Sequence, residues 1–220
     1  MDKRLSLILL SLIILMIVGL LPLSAQGTTR ETPLDKRVQA FLAGKDGEWH
    51  DMNVPESDGR LLYDLIVKHK YKRVLEIGTS TGHSSIWIAW ALSKTGGKLI
   101  TIEIDEERYK TAIANFKEAG LSEYIDARLT DAHELVHQLK GPFDFVFSDA
   151  DKDWYKNYFL AIAPKLTIGG CYTTHNISER GFGSRGNRGY VDFLKSLPNF
   201  ETTFDSNGGG VSISYKKSEK

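Results

Sequence analysis

The apolar run Phe143-Asp144-Phe145-Val146-Phe147-Ser148 leads straight into Asp149-Ala150-Asp151-Lys152-Asp153, three carboxylates and a lysine in five residues. A second run, Gly169-Gly170-Cys171-Tyr172-Thr173-Thr174, ends in His175 and Asn176. Strand ends of this kind carry ligands and chemistry in open α/β sheets. If the two strands are neighbours, Asp149, His175 and Asn176 converge. A carboxylate, an imidazole and an amide oxygen then offer a divalent metal its donors, and Lys152 beside them can serve as a base. The competing reading of the same residues is helix caps and surface charge.

The segment Val74-Leu75-Glu76-Ile77-Gly78-Thr79-Ser80-Thr81-Gly82-His83-Ser84-Ser85 passes from an apolar strand through a glycine turn into a helix. A dinucleotide site wants Gly-x-Gly-x-x-Gly for its pyrophosphate, whereas this chain has Glu-x-Gly-x-x-x-Gly with a carboxylate at the strand end. That carboxylate repels phosphate. Some 20 residues on, Leu99-Ile100-Thr101-Ile102-Glu103 ends a second strand in an acid, the usual position for gripping a ribose diol, with Asp105 a natural N-cap for the next helix. Together these features describe an adenosine ligand without a diphosphate, and S-adenosylmethionine fits that description.

The elements that must position these residues alternate as short apolar strands and longer amphipathic helices, the pattern of a parallel sheet. Strands are expected at 73–77, 98–103, 124–129, 143–148, 169–174, 201–205 and 211–215. The last two, separated only by Ser206-Asn207-Gly208-Gly209-Gly210, should pair as an antiparallel hairpin at the sheet edge. Two helices precede the first strand, at 34–43 and 56–69. The second carries an apolar stripe of Leu61, Leu62, Leu65 and Ile66.

Hydrophobic residues make up 41% of the 220 and charged residues 25%, which excludes disordered and collagen-like classes. Lys plus Arg is 28 and Asp plus Glu is 28, so no global basic footprint of a nucleic-acid binder exists. The single cysteine, Cys171, forms no intramolecular disulfide. Residues 178–190 interleave glycines with Arg180, Arg185 and Arg188, reading as a solvated connection or as a lid that contacts anions.

Basic residues Lys3 and Arg4, an apolar run over 5–23 and the junction Ser24-Ala25-Gln26 make residues 1–25 a signal peptide or membrane anchor. The run would reach roughly 28 Å as a helix, enough to cross a bilayer. Residues 26–51 then form a linker and helix, and 52–220 the functional domain. The expected location is exported or membrane-anchored.

Met52-Asn53-Val54-Pro55, Val74-Leu75-Glu76-Ile77-Gly78, Glu103, Asp149-Ala150-Asp151-Lys152-Asp153 and Gly169-Gly170 stand in the order and spacing of a known family. Over residues 52–215 the chain resembles the class I S-adenosylmethionine-dependent O-methyltransferases of the catechol and caffeoyl-CoA type. The resemblance implies a Rossmann-like class I methyltransferase fold, a seven-stranded mostly parallel sheet with a C-terminal antiparallel hairpin and helices on both faces. It implies a cofactor site formed by Val54, Glu76, Gly78, Thr79, Ser84, Glu103, Ala132, His133 and Asp149. It implies Asp149 as a metal ligand and Lys152 as the general base that deprotonates a small catechol-like hydroxyl acceptor, and a homodimer is common among such proteins.

One departure falls on the chemistry. The family usually has Asp-Asn after its fifth strand, where this chain has His175-Asn176. A metal held by Asp149, His175 and Asn176 would then be softer than Mg²⁺, since imidazole suits Mn²⁺, Fe²⁺, Co²⁺ or Zn²⁺; a weak site, or a metal-free enzyme with His175 as base, are the other outcomes. Competing functions are methylation of a tRNA hydroxyl and a non-catalytic S-adenosylmethionine-binding protein.

Overall fold

The computed structural model describes residues 31–49, 51–179 and 187–219, and Pro33–Lys220 forms one compact unit. The apolar run at 5–23 and the arginines at 180 and 185 lie outside the described residues. Two helices lead, α1 (Pro33–Gly44) and α2 (Glu56–His69). Then come β1 (Arg73–Ile77), α3 (His83–Thr95), β2 (Lys98–Glu103), α4 (Glu106–Ala119), β3 (Ile125–Leu129), α5 (Ala132–Gln138) and β4 (Phe143–Ser148). The chain closes with α6 (Tyr155–Ile162), β5 (Leu166–His175), α7 (Asn187–Lys195), β6 (Phe200–Asp205) and β7 (Val211–Lys216).

The seven strands form one sheet in the order β3-β2-β1-β4-β5-β7-β6. Pairs among β1 to β5 are parallel, whereas β7 runs antiparallel to both β5 and β6, so the hairpin forms the sheet edge as its short glycine connection requires. Strand order reverses between β1 and β4, and a crevice opens there above the carboxyl ends of the strands.

Both faces of the sheet are covered, which is why the central strands are largely buried on both sides rather than alternating between core and solvent. Leu75, Ile77, Val146 and Tyr172 pack under α5, α6 and α7. Val74, Leu99, Phe145, Phe147 and Cys171 face the other way, toward α2 and α3, and beyond α3 a further cluster joins Val38 and Phe41 of α1 to Phe116 of α4. Helix α1 therefore belongs to the same unit as the sheet. Glycine or aspartate marks the helix ends: Asp105 accepts from Arg108 N at the start of α4, Asp131 from His133 N at the start of α5, and Gly96 and Gly120 close α3 and α4 in left-handed conformations.

Strand β5 begins three residues before the expected Gly169. Gly169 takes φ 79°, and the β4–β5 register shifts between Phe143 and Phe145, so the glycine pair is an irregularity within a longer strand. Strand β3 starts one residue late because Ser122–Tyr124 forms a turn of 3₁₀ helix.

Phe145 is fully buried between β1 and the α2–α3 layer. Its replacement by alanine should cost about 3–5 kcal/mol, read as a fall in urea midpoint at unchanged slope. A loss below about 1 kcal/mol would show that this layer collapses freely around the gap.

Candidate functional site

Five parallel strands deliver their carboxyl ends to one cavity of about 510 Å³, within the range of small-molecule sites. The turn after β1 forms its centre. Gly78 takes φ 98°, and a Cβ there would stand 2.6 Å from the carbonyl oxygen of Asp149. Only glycine allows the β1 turn and the β4 exit to touch backbone to backbone, an apposition tightened by Asp149 N donating to Ile77 O at 2.8 Å.

Glu103, at the end of β2, is buried, and its carboxylate is held rigid by backbone amides. Oε2 accepts from Ser80 N at 2.7 Å, and Oε1 accepts from Ile104 N and Asp105 N at 3.0 and 2.9 Å. The segment before α2 docks onto the same turn. Asn53 Nδ2 donates to Thr81 Oγ1 at 2.8 Å, Asp51 receives both Nε and a terminal nitrogen of Arg108 at 2.8 and 2.9 Å, and Ser80 Oγ donates to Asp51 O.

Of the residues expected from sequence, Gly78, Thr79, Ser84, Glu103, Ala132, His133, Asp149, Lys152, His175 and Asn176 all line this cavity. Val54 and Glu76 do not. Val54 is a core residue whose carbonyl lies 2.8 Å from His83 Nδ1. Glu76 lies fully buried under the floor, where its carboxylate accepts from Ser84, Ser85 and Thr101. Burial pushes the Glu76 carboxyl up to about 7; the three hydroxyls work against that rise and the Asp149 charge adds to it.

Asp131, Asp151 and Arg108 also line the cavity and were not read from sequence as site residues. His133 sits between two of them, with Nδ1 3.2 Å from Asp131 and Nε2 3.4 Å from Asp151, and packs against Trp154 at 4.1 Å between ring centroids. Lys152 is exposed at the rim.

His175, from the end of β5, faces two carboxylates. Its Nε2 lies 2.8 Å from Asp58 Oδ2, a residue of α2, and its Nδ1 3.0 Å from Asp149 Oδ2. The Nδ1 contact is oblique to the ring N–H direction, an ion-pair approach rather than an aligned hydrogen bond, and leaves Nδ1 buried without such a partner. Burial by itself would lower the imidazole, but Asp149 and Asp58 outweigh it and lift His175 to about 9.

A divalent ion would have to displace the proton from His175 Nδ1; the ring, beside Asp149 and held at Nε2 by Asp58, would then have the arrangement of a carboxylate–histidine–metal site. Among the described residues no three His, Cys, Asp or Glu side chains converge as a metal cluster. The residues that would hold a divalent ion are Asp149, His175 and the amide of Asn176, which in chemical type would suit a borderline ion better than Mg²⁺.

The strand order, the glycine turn at the switch point and the acids at successive strand ends define a class I methyltransferase fold. The O-methyltransferase family profile matches residues 27–189. An Arabidopsis thaliana protein named for caffeoyl-CoA O-methyltransferase is 30% identical over 201 residues, covering 84% of this chain and 86% of that protein. The catechol O-methyltransferase of Niastella koreensis is 39% identical over 112 residues, 49% of this chain and 50% of the relative. Among solved structures, the Bacillus cereus O-methyltransferase in complex with SAH superposes with a TM-score of 0.70 at 23% identity, covering 83% and 91% of the two chains. TomG from Streptomyces achromogenes, in complex with SAM, gives 0.70 at 24% identity, covering 93% and 95%. These two likenesses show the fold. The chain belongs to the S-adenosylmethionine-dependent O-methyltransferase family.

The buried Glu76 makes a stability prediction. Its unfolded carboxyl titrates near 4.5 and its folded one near 7, so the folded state holds the proton more tightly. Stability from this group is therefore present below 4.5, is lost as pH rises to about 7, and is flat above, with a total of about 3 kcal/mol. His175 has the same sign in a higher window, from 6.5 to about 9. Glu76→Gln should flatten the fall in urea midpoint between pH 5 and 6.5; an unchanged slope would mean that Glu76 is ionised throughout.

Proposed function

We propose that this protein transfers the methyl group of S-adenosylmethionine to one hydroxyl of a small vicinal diol of the catechol class, with a divalent metal at Asp149, His175 and Asn176 and with Lys152 as the general base. The observation that carries this reading is the convergence of Glu103, Asp131, Asp149 and Asp151 on one cavity around the Gly78 turn. Such a lining suits a cationic ligand and repels a diphosphate.

S-adenosylmethionine supplies an electrophilic methyl on a sulfonium, and a bound divalent ion supplies charge that lowers the pKa of the acceptor hydroxyl. The chain's own residues do the rest. Glu103, immobilised by three amides, accepts both hydroxyls of the ribose. Gly78, Thr79 and Ser84 shape the floor under the amino-acid end, beside Asp149. Ala132, Asp131 and His133 border the adenine. The acceptor hydroxyl gives its proton to Lys152 Nζ, its oxygen bonds to the methyl carbon, and the carbon–sulfur bond breaks so that the electron pair stays on sulfur. Asp149 and Asn176 hold the acceptor in line with that bond, which is where proximity contributes most.

The names of the relatives support an acceptor of this class: one is a catechol O-methyltransferase and another is named for caffeoyl-CoA. The apolar segment at 5–23 supports an exported or membrane-anchored location.

The test is transfer of labelled methyl from S-adenosylmethionine to catechol by the full chain. Activity should vanish in EDTA and return with Mn²⁺ or Co²⁺ more fully than with Mg²⁺. Lys152→Ala should lower kcat by about 10²–10⁴ without changing S-adenosylmethionine affinity. Methylation that survives EDTA would remove the metal from this reading, and no methylation of any vicinal diol would remove the acceptor class.

A further inference from the structure

Asp58 is 1% exposed, on the stripe of α2 that continues as Leu62, Leu65 and Ile66. A carboxylate so deep costs several kcal/mol unless charge and hydrogen bonds answer it. Asp58 Oδ2 has two such answers: Gly209 N donates to it at 2.8 Å, and His175 Nε2 lies 2.8 Å away. The turn between β6 and β7 is shaped around this pair. A Cβ on Gly208 would overlap Asp58 Oδ1, a Cβ on Gly209 would stand 2.5 Å from His175 Nε2, and Gly210 takes φ 87°. Three distant segments, α2, the end of β5 and the hairpin turn, thus close on one edge of one imidazole. The opposite edge, at Nδ1, meets Asp149 at the cavity.

We propose that Asp58 is the positioning residue of His175: it takes the Nε2–H, fixes the plane of the ring and so presents Nδ1 beside Asp149, while the Gly208–Gly209 backbone walls the ring in. The functional consequence rests on the metal reading given under Proposed function. A ligating histidine whose far N–H is held by a carboxylate is oriented and more basic, and loss of that carboxylate costs about 10–100-fold in metal affinity.

The experiment uses the full chain and two readouts independent of turnover: Mn²⁺ binding by loss of the free-ion EPR signal, and the ¹⁵N-edited NMR signal of the His175 ring. Asp58→Asn keeps an oxygen for Gly209 N and the shape of the side chain. It should retain near-ultraviolet circular dichroism and S-adenosylmethionine affinity, weaken Mn²⁺ binding about 10–100-fold, and shift the protected Nε2–H resonance upfield, because a neutral amide oxygen replaces the carboxylate that accepts from Nε2. A folded Asp58→Asn with unchanged Mn²⁺ affinity and an unchanged His175 resonance overturns the inference and leaves the metal reading intact. Wild type that binds no Mn²⁺ overturns the metal reading, and the Nε2–H resonance then decides the inference: dependence on Asp58 upholds the positioning, independence ends it. Should Asp58→Asn fail to fold, Gly209→Ala crowds the same ring edge with both charges kept and should reproduce the loss of Mn²⁺ affinity; full retention counts against the proposal.

Discussion

Everything at the site depends on one close approach, the backbone of Gly78 against the backbone of Asp149 where strand order reverses. A side chain of any size at position 78 would collide with the Asp149 carbonyl, so β1 and β4 could not end side by side at the same depth. From that fixed point the other contributions follow in register. Glu103 lies one strand to one side and His175 one strand to the other, each carried by a parallel neighbour. The sheet thus acts as a ruler. It converts residues scattered over 100 positions of sequence into a cavity whose spacing is set by strand separation rather than by loops.

Under that cavity lies a polar layer that packing alone does not explain. Glu76 points to the α2–α3 side of the sheet, where its register partners are Phe147 on β4 and Thr101 on β2, and it is kept there by the hydroxyls of Ser84, Ser85 and Thr101. Two of those hydroxyls belong to the first turn of α3, so the helix start is tied to the strand where Ser84 meets the cavity. The arrangement trades stability for shape: a raised carboxyl is a cost, accepted where the start of a helix must not drift.

Much of this was legible in the sequence. The limits of β1, β2 and β4 follow from apolar runs that end in glycine or acid, and the hairpin follows from Ser206–Gly210. Gly78, Glu103, Asp149 and His175 stand at strand ends, so naming the strands places them together. Two kinds of information were not legible. Gly169-Gly170 reads as a strand start, yet Leu166 already pairs with Phe143 and the glycines absorb a slip of register, a tertiary event with no local signature. Asp58 is hidden by the leucine stripe of α2, which marks only a core-facing helix. The signal was present, since a carboxylate at position 58 shares the stripe of Leu62, Leu65 and Ile66, but its partner is 117 residues away, and only the folded sheet shows that β5 ends opposite. Glu76 illustrates the converse: its motif position is conspicuous, yet it lies under the floor rather than in the wall.

The acidic lining has a consequence for the direction of traffic through the site. On the function proposed above, carboxylates at the cavity wall attract a sulfonium by its charge, and methyl transfer cancels that charge, leaving a neutral thioether among the same acids. The spent ligand is thereby held less firmly than the fresh one, and each turnover loosens the grip on its own product. An enzyme lined in this way carries an electrostatic ratchet that favours exchange of product for donor.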